Sequence, residues 1–411
     1  MATLAESMSA SVHPAAPPTQ RAYRLESIDF LRGLVIVIMA IDHTRDFFMF
    51  GHVQDPTKNP HVTVALFATR WITHFCAPVF VLLAGVSVGL MTARRTPSQL
   101  TRFLLTRGMW LVFVEIFVIA TAVTFSPFGM AQAGGLVFVP MQVIWAIGAS
   151  MVVLSGLQRL GRGACLYLGL GIVAGHNLLD WVWPASNMQD LHWPVWVALH
   201  SEMSLRVGPF LLLFIYPLLP WVGVMLVGFG ISRIFELAKD RRDSLLLWAG
   251  VATTAGFVLI RAIDHYGDPN PWRVHPGALT ATIISFLNTT KYPPSLLYLM
   301  MTLGPSAVLC SQADRITGGV KNILVMYGRV PFAFYVAHFY LIHLLSVLLG
   351  VLQGFHFRQM MTIFLYYPTG YGLGLPGVYA VWALVVVLLY PFCNYVARLK
   401  ARRRDWWLSY V

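Results

Sequence analysis

Ten stretches of this chain run for about twenty mostly apolar residues, the length a helix needs to cross a bilayer. They fall near 28–48, 71–92, 105–125, 136–156, 164–183, 209–231, 244–262, 293–311, 330–352 and 375–397. A water-soluble core cannot bury ten such stretches. Charged residues make up 11% of the chain, against about 25% in soluble domains, too few to solvate a globule of 411 residues. The expected fold is an all-α polytopic membrane protein, a bundle of about ten transmembrane helices. Two shorter pieces, Gly277 to Thr289 and Met360 to Tyr367, are expected to be re-entrant or interfacial. Residues 1–22 are rich in Ala, Ser and Pro, lack an apolar signal-peptide core and read as a disordered cytoplasmic tail. Residues 23–400 form the membrane domain, and 401–411 a basic, aromatic cytoplasmic tail.

Loop charge sets the expected orientation. With the N-terminus inside, 19 of the 29 Lys and Arg residues fall in cytoplasmic segments and 6 in outer loops. The positive-inside bias therefore predicts N-in/C-in. It also assigns the net charge of +12 to loops facing an anionic leaflet rather than to nucleic acid. Cys76, Cys165, Cys310 and Cys393 lie in or beside apolar runs without metal or disulfide spacing, and no metal is expected. HExxH, P-loop, GxSxG and GxGxxG signatures are absent, which argues against a zinc protease, an NTPase and a serine hydrolase.

Ionisable groups inside apolar spans are costly and mark function by default. The first span carries Asp29 and Arg32, then nine neutral residues, then Asp42, His43, Arg45 and Asp46. At 1.5 Å per residue, Arg32 and His43 stand about 16 Å apart along the axis. Arg32 is thus expected near the cytoplasmic surface and His43 well across the membrane. Asp46 lies one turn from His43, and such a carboxylate can fix the tautomer of a general base. A structural ion-pair cluster at a helix end is the competing reading. The second span brings His74 to a similar depth, and Pro78 frees the carbonyl of His74. The ninth span adds Tyr335, His338 and His343, read equally as catalytic groups or as hydrogen-bonded links between helices. His176, Asn177 and Asp180 read as structural.

These motifs resemble a known family. The run from Arg24 through Asp29, Arg32, Asp42 and His43 is similar to the opening of the heparan-alpha-glucosaminide N-acetyltransferase-like bacterial membrane proteins, within the transmembrane acyltransferases related to acyltransferase-3. The likeness continues at Phe67 to Pro78, at Thr290 to Tyr298, and at Gly328 to His343. It implies an acyltransferase of the bacterial inner membrane. An acetyl or other acyl group would move from cytoplasmic acyl-CoA, the co-substrate, to an amine or hydroxyl of a sugar, glycan or lipid-linked acceptor outside. In acyltransferase-3 proteins an Arg, ten residues and a His recur on an early helix; Arg32 and His43 have that spacing. The resemblance assigns His43 to acyl transfer and Arg102 and Arg107 to acyl-CoA beside Arg32. In heparan-type enzymes the catalytic histidine lies in the first luminal loop, where this chain has His52 and His61. The catalytic histidine stays open between His43 and His74.

On this reading His43, steered by Asp42 or Asp46, takes the acceptor's proton or carries the acyl group itself. Arg45, Lys291, Tyr335 or His338 would contact the acceptor or the oxyanion. Expected partners are acyl-CoA, the acceptor and membrane lipids, with a homodimer left open. The alternative is a proton-coupled transporter or flippase built on the same His/Asp cluster. It predicts an internal repeat, and the Arg32–His43 span has no counterpart in the second half.

Overall fold

The structure is a computed structural model that describes residues 25–51, 56–58, 62–182, 193–403, 405 and 408. Residues 1–22, His52, His61 and part of the C-terminal tail lie outside that set. Helix α1 (Glu26–Phe48) has Glu26 and Asp29 in its first turn and Arg45 in its last, charges that suit the helix dipole. Helix α2 (Val64–Thr73) starts behind a Thr63 cap, and α3 (Cys76–Met91) follows a break at His74 and Phe75. Pro78 has no N–H to give the His74 carbonyl, and the Tyr298 hydroxyl donates to that carbonyl instead at 2.7 Å. Helix α4 (Pro97–Phe113) opens on a capping box of Thr96 and Gln99 and runs through a π-helical turn, Val114–Ile119, into α5 (Ala120–Thr124).

Strand β1 (Val137–Met141) leads into α6 (Val143–Leu157), and α7 (Gly161–Gly175) follows. Helices α8 (Leu179–Val182) and α9 (Trp193–His200) precede strands β2 (Met203–Val207) and β3 (Phe210–Phe214). The chain continues through α10 (Leu218–Ile231), α11 (Lys239–Ile263), α12 (Leu279–Leu287), α13 (Leu296–Gln312), α14 (Gly319–Arg329), α15 (Pro331–Leu352), α16 (Phe357–Met360) and α17 (Leu375–Arg402). The helical bundle thus carries one small sheet of order β1-β3-β2, with β1 parallel and β2 antiparallel to β3. The apolar runs at 136–156 and 209–231 therefore each begin as a strand and become a helix only from Val143 and Leu218. Phe, Val and Leu suit an extended, half-buried ladder as well as a membrane helix. Pro140 and Pro217 stand near the two changeovers.

Among the described residues, eight helical stretches are long and apolar enough to cross a membrane: α2–α3, α4–α5, α6–α8, α10, α11, α13, α15 and α17. The chain is an integral, polytopic membrane protein. The α6–α8 stretch spans 39 residues. Gly161, at φ +86°, breaks it into two 15-residue helices. Helix α1 is not among them because of its own charges, yet 23 residues give it about 35 Å.

Helix α1 packs against α2, α3, α13, α14, α15 and α17. Its crossing with α14 brings backbone onto backbone. A methyl on Gly33 would sit 1.7 Å from the Leu324 carbonyl oxygen, and one on Gly328 would sit 1.7 Å from that of Asp29. Helices α3 and α10 cross in the same way at Gly85 and Gly228. Lipid supplies no hydrophobic push between helices, so close approach over glycine is what holds such pairs.

Candidate active site

The last turns of α1 carry a buried ion cluster. The Asp42 carboxylate meets Arg45 of its own helix at 2.7 Å and Arg70 of α2, with Lys291 of the loop before α13 at 3.8 Å. Arg45 also pairs with Asp46. Arg45 and Arg70 are 1% and 5% exposed, so these charges rely on one another rather than on water. The two carboxylates expected to steer His43 are held by arginines, and no hydrogen bond joins either to the His43 ring. That ring packs against Phe339 at 4.4 Å and His338 at 5.2 Å between centroids. Arg45 Nε is buried without a hydrogen-bond partner among the described residues.

This cluster lines a cavity of about 220 Å³. His43, Asp42, Asp46, Arg45, Arg70 and Lys291 all reach it, and Glu202, after α9, adds a third carboxylate. Phe138 and Pro140 of β1 form part of its wall. Tyr216 also lines it from the segment between β3 and α10; burial, and then the neighbouring Tyr292, push its phenol well above the usual range, so it stays a neutral donor.

A second cavity, of about 410 Å³, lies at the other end of α1. Its cations are Arg32, Arg107, Arg329 and Lys400, and most of its remaining lining is apolar. Arg32 donates to Ser87 and to the Leu83 carbonyl of α3 and lies 3.6 Å from Asp29. The Arg107 guanidinium stands over the Phe332 ring at 5.2 Å. Arg102 is exposed on α4 and does not line the cavity. Five residues separate it from Arg107, about 140° round the helix, so the two cannot share a face.

Tyr335 lines the cationic cavity, and its buried hydroxyl has no partner among the described residues. His338, one turn on, contacts the Tyr335 carbonyl through Nδ1 at 2.5 Å. A carbonyl only accepts, so Nδ1 carries the proton, and the buried Nε2, without a partner among the described residues, offers a lone pair. His74 lies beneath Tyr298, its ring 5.4 Å from the tyrosine ring, and lines neither cavity. His343 is held between the carbonyls of Ala122 and Met360. Asn177 accepts from the Leu296 N–H, and Asp180 accepts from His200, links that tie α7, α8, α9 and α13 together. Among the described residues no group of three or more His, Cys, Asp or Glu side chains is placed to hold a metal ion.

The catalytic domain of heparan-alpha-glucosaminide N-acetyltransferase matches residues 24–260, more than half of the chain. The chain belongs to this family. The match takes in Arg32, Asp42, His43, Arg70 and Arg107, and ends before Lys291, Tyr335 and His338. No curated protein matches the chain. Membership makes it a member of a transmembrane acetyltransferase family, and both cavities belong to a molecule of that class.

Several residues in or near this acetyltransferase-family site escape a reading of the sequence. Arg70 sits one turn before His74 in a motif noticed for its histidine. Glu115, fully buried in the π-helical turn, accepts the Trp145 N–H at 3.0 Å and caps the start of α6. A lone carboxylate in an apolar run was the available signal. Lys400 carries none, since a basic residue at the end of the last span reads as an ordinary anchor.

Proposed function

We propose that the protein transfers an acyl group, acetyl first among them, from cytoplasmic acyl-CoA to an amine or hydroxyl of a sugar-like acceptor on the opposite face of the membrane. The supporting observation is the pair of cavities at opposite ends of α1, one cationic with apolar walls, the other holding His43 among paired charges. Phosphates suit the first, because arginine offers planar, charge-assisted donors. The end carrying Arg32, Arg329 and Lys400 is then the cytoplasmic one, with both termini on that side, in a bacterial inner membrane.

In this reading the acceptor enters the His43 cavity and the thioester reaches it from the cationic side. His43 takes a proton from the acceptor nitrogen or oxygen as that atom attacks the thioester carbonyl carbon. The new C–N or C–O bond forms, the C–S bond breaks, and His43 returns the proton to the leaving sulfur. Arg45 Nε and the Tyr335 hydroxyl are buried donors suited to the carbonyl oxygen as it gains charge. Asp42 and Asp46 act through Arg45 and Arg70, fixing the cations rather than the imidazole.

Thermal stability of the detergent-purified protein, titrated with acetyl-CoA and with ATP as a polyphosphate control, tests the donor site. Ligand at a hundred times its Kd should add about 2.7 kcal/mol of stability. A saturable rise with acetyl-CoA alone, followed by thiol release when a hexosamine is added, supports the reading. No shift with millimolar acetyl-CoA or longer acyl-CoA overturns it.

A further inference from the structure

Four helices line both cavities, α15 with Tyr335 on the cationic side and Phe339 on the histidine side, and the other three change sides as follows. On α1, Ile36 faces the cationic cavity and Met39 the histidine cavity. On α3, Ala84 faces the first and Ala77 the second, while Phe80 between them lines both. At the start of α6, Ile147 faces the first and Gln142, the residue before the helix, the second, while Val143 lines both. The two cavities therefore approach each other across a wall to which one aromatic and one β-branched side chain contribute. Val143 is buried and Phe80 half-buried.

We propose that Phe80 and Val143 form a collar that sets the size of the transferred acyl group, admitting acetyl and rejecting medium-length chains. The inference rests on the acyl-CoA reading above. A thioester arriving from the cationic side presents its carbonyl at this level, and its acyl tail points onward. A methyl needs little room. A longer tail must displace the Phe80 ring or extend past it into a cavity lined by Asp42, Asp46, Arg45, Arg70 and Lys291. Covering those charges with alkyl surface strips them of water, so chemistry and shape select in the same direction. The wall also has a second use, since an open path between two polar cavities would let water and ions cross the membrane. Phe80 and Val143 offer no side-chain donor or acceptor to a water chain.

The test compares acetyl-CoA with hexanoyl-CoA on the full-length protein, with hexosamine as acceptor and thiol release as readout. Wild type should strongly prefer acetyl. Phe80→Ala should raise the hexanoyl-to-acetyl ratio of kcat/KM at least about tenfold, the usual worth of one or more methylenes in an apolar pocket. Val143→Ala should raise it less, and in both variants binding of unacylated CoA should change by less than the ratio does, because the collar lies beyond the phosphate contacts. If the alanine variants do not fold, Phe80→Leu and Phe80→Trp keep the position filled; the ratio should rise in the first and fall in the second. Turnover in wild type with an unchanged ratio in the folded variants overturns the collar alone. Equal use of both donors by wild type also overturns it. No wild-type turnover with any acyl-CoA overturns the functional reading, and the collar falls with it.

Discussion

Asp42→Asn tests whether the ion cluster holds the histidine cavity together. The Asp42 side chain is 10% exposed and meets Arg45, Arg70 and Lys291. Asparagine keeps the shape and removes the charge. Arg45 then retains Asp46, but Arg70 loses the carboxylate it pairs with, deep in a membrane protein. Breaking a buried pair from one side costs about 3–5 kcal/mol, because the remaining charge stays desolvated. At about 2 °C per kcal/mol for a large domain, the apparent melting temperature in detergent should drop by roughly 6–10 °C. The four buried cysteines supply the assay, since a thiol-reactive dye reports their exposure on unfolding. Arg70→Gln alone should be similarly damaging. The double variant Asp42→Asn/Arg70→Gln should recover about 1–3 kcal/mol relative to the summed single effects, the size expected for residues in contact. A melting point for Asp42→Asn within about 1 °C of wild type, or strict additivity in the double variant, would refute the reasoning.

Three further outcomes are expected. Gly328→Ala sets a methyl 1.7 Å from the Asp29 carbonyl and must push α1 off α14, so stability should fall by about 1–3 kcal/mol or more; a thermal scan showing no loss would mean the helices do not cross there. His43→Ala should lower acyl transfer by about 10²–10⁴ while leaving the acetyl-CoA thermal shift nearly intact, and normal turnover would remove His43 from the chemistry. Arg32→Ala should weaken acetyl-CoA binding by about 1.5–3 kcal/mol, roughly 10- to 150-fold in Kd; unchanged affinity in a calorimetric titration would end its phosphate role.

The membrane class and most of the spans are legible in the sequence because each run of twenty apolar residues has one cheap environment. The strands were not, because Val137–Met141 and Phe210–Phe214 run into helices without a charged residue to mark the change. The two ends of α1 were legible for a similar reason, since charge in an apolar run stands out whatever surrounds it. What surrounds it was not. Asp42 lies 28 residues from Arg70 and far along the chain from Lys291, and only the fold joins them. Spacing along one helix made Asp46 a natural partner for His43, yet the fully charged Arg45 meets Asp46 at 2.5 Å, and such an ion pair is stronger than a hydrogen bond to an imidazole. In the cationic cavity, Lys400 comes to Arg32 from the opposite end of the chain.

The arrangement gives α1 a job that depends on its stiffness. Nine neutral residues, Gly33 to Ile41, separate its two charged clusters, and each cluster serves a different cavity. An unbroken helix fixes the spacing of Arg32 and His43 at about 16 Å along the axis, whatever happens at either surface. Its position is fixed as well. Gly33 and Gly328 seat α1 on α14 at the cationic end, and the residue after Gly328 is Arg329, another lining cation. At the far end Asp42 ties α1 to α2 through Arg70 and to the loop before α13 through Lys291. On the proposed acyl-CoA reading, a donor held by its phosphates at one end and a base held at the other need a rigid ruler between them if the thioester is to arrive within reach of His43. Loosening the far anchor, Asp42 with Arg70 and Lys291, should therefore lower turnover more than it lowers donor binding, because binding needs only the cationic end of the ruler and transfer needs both.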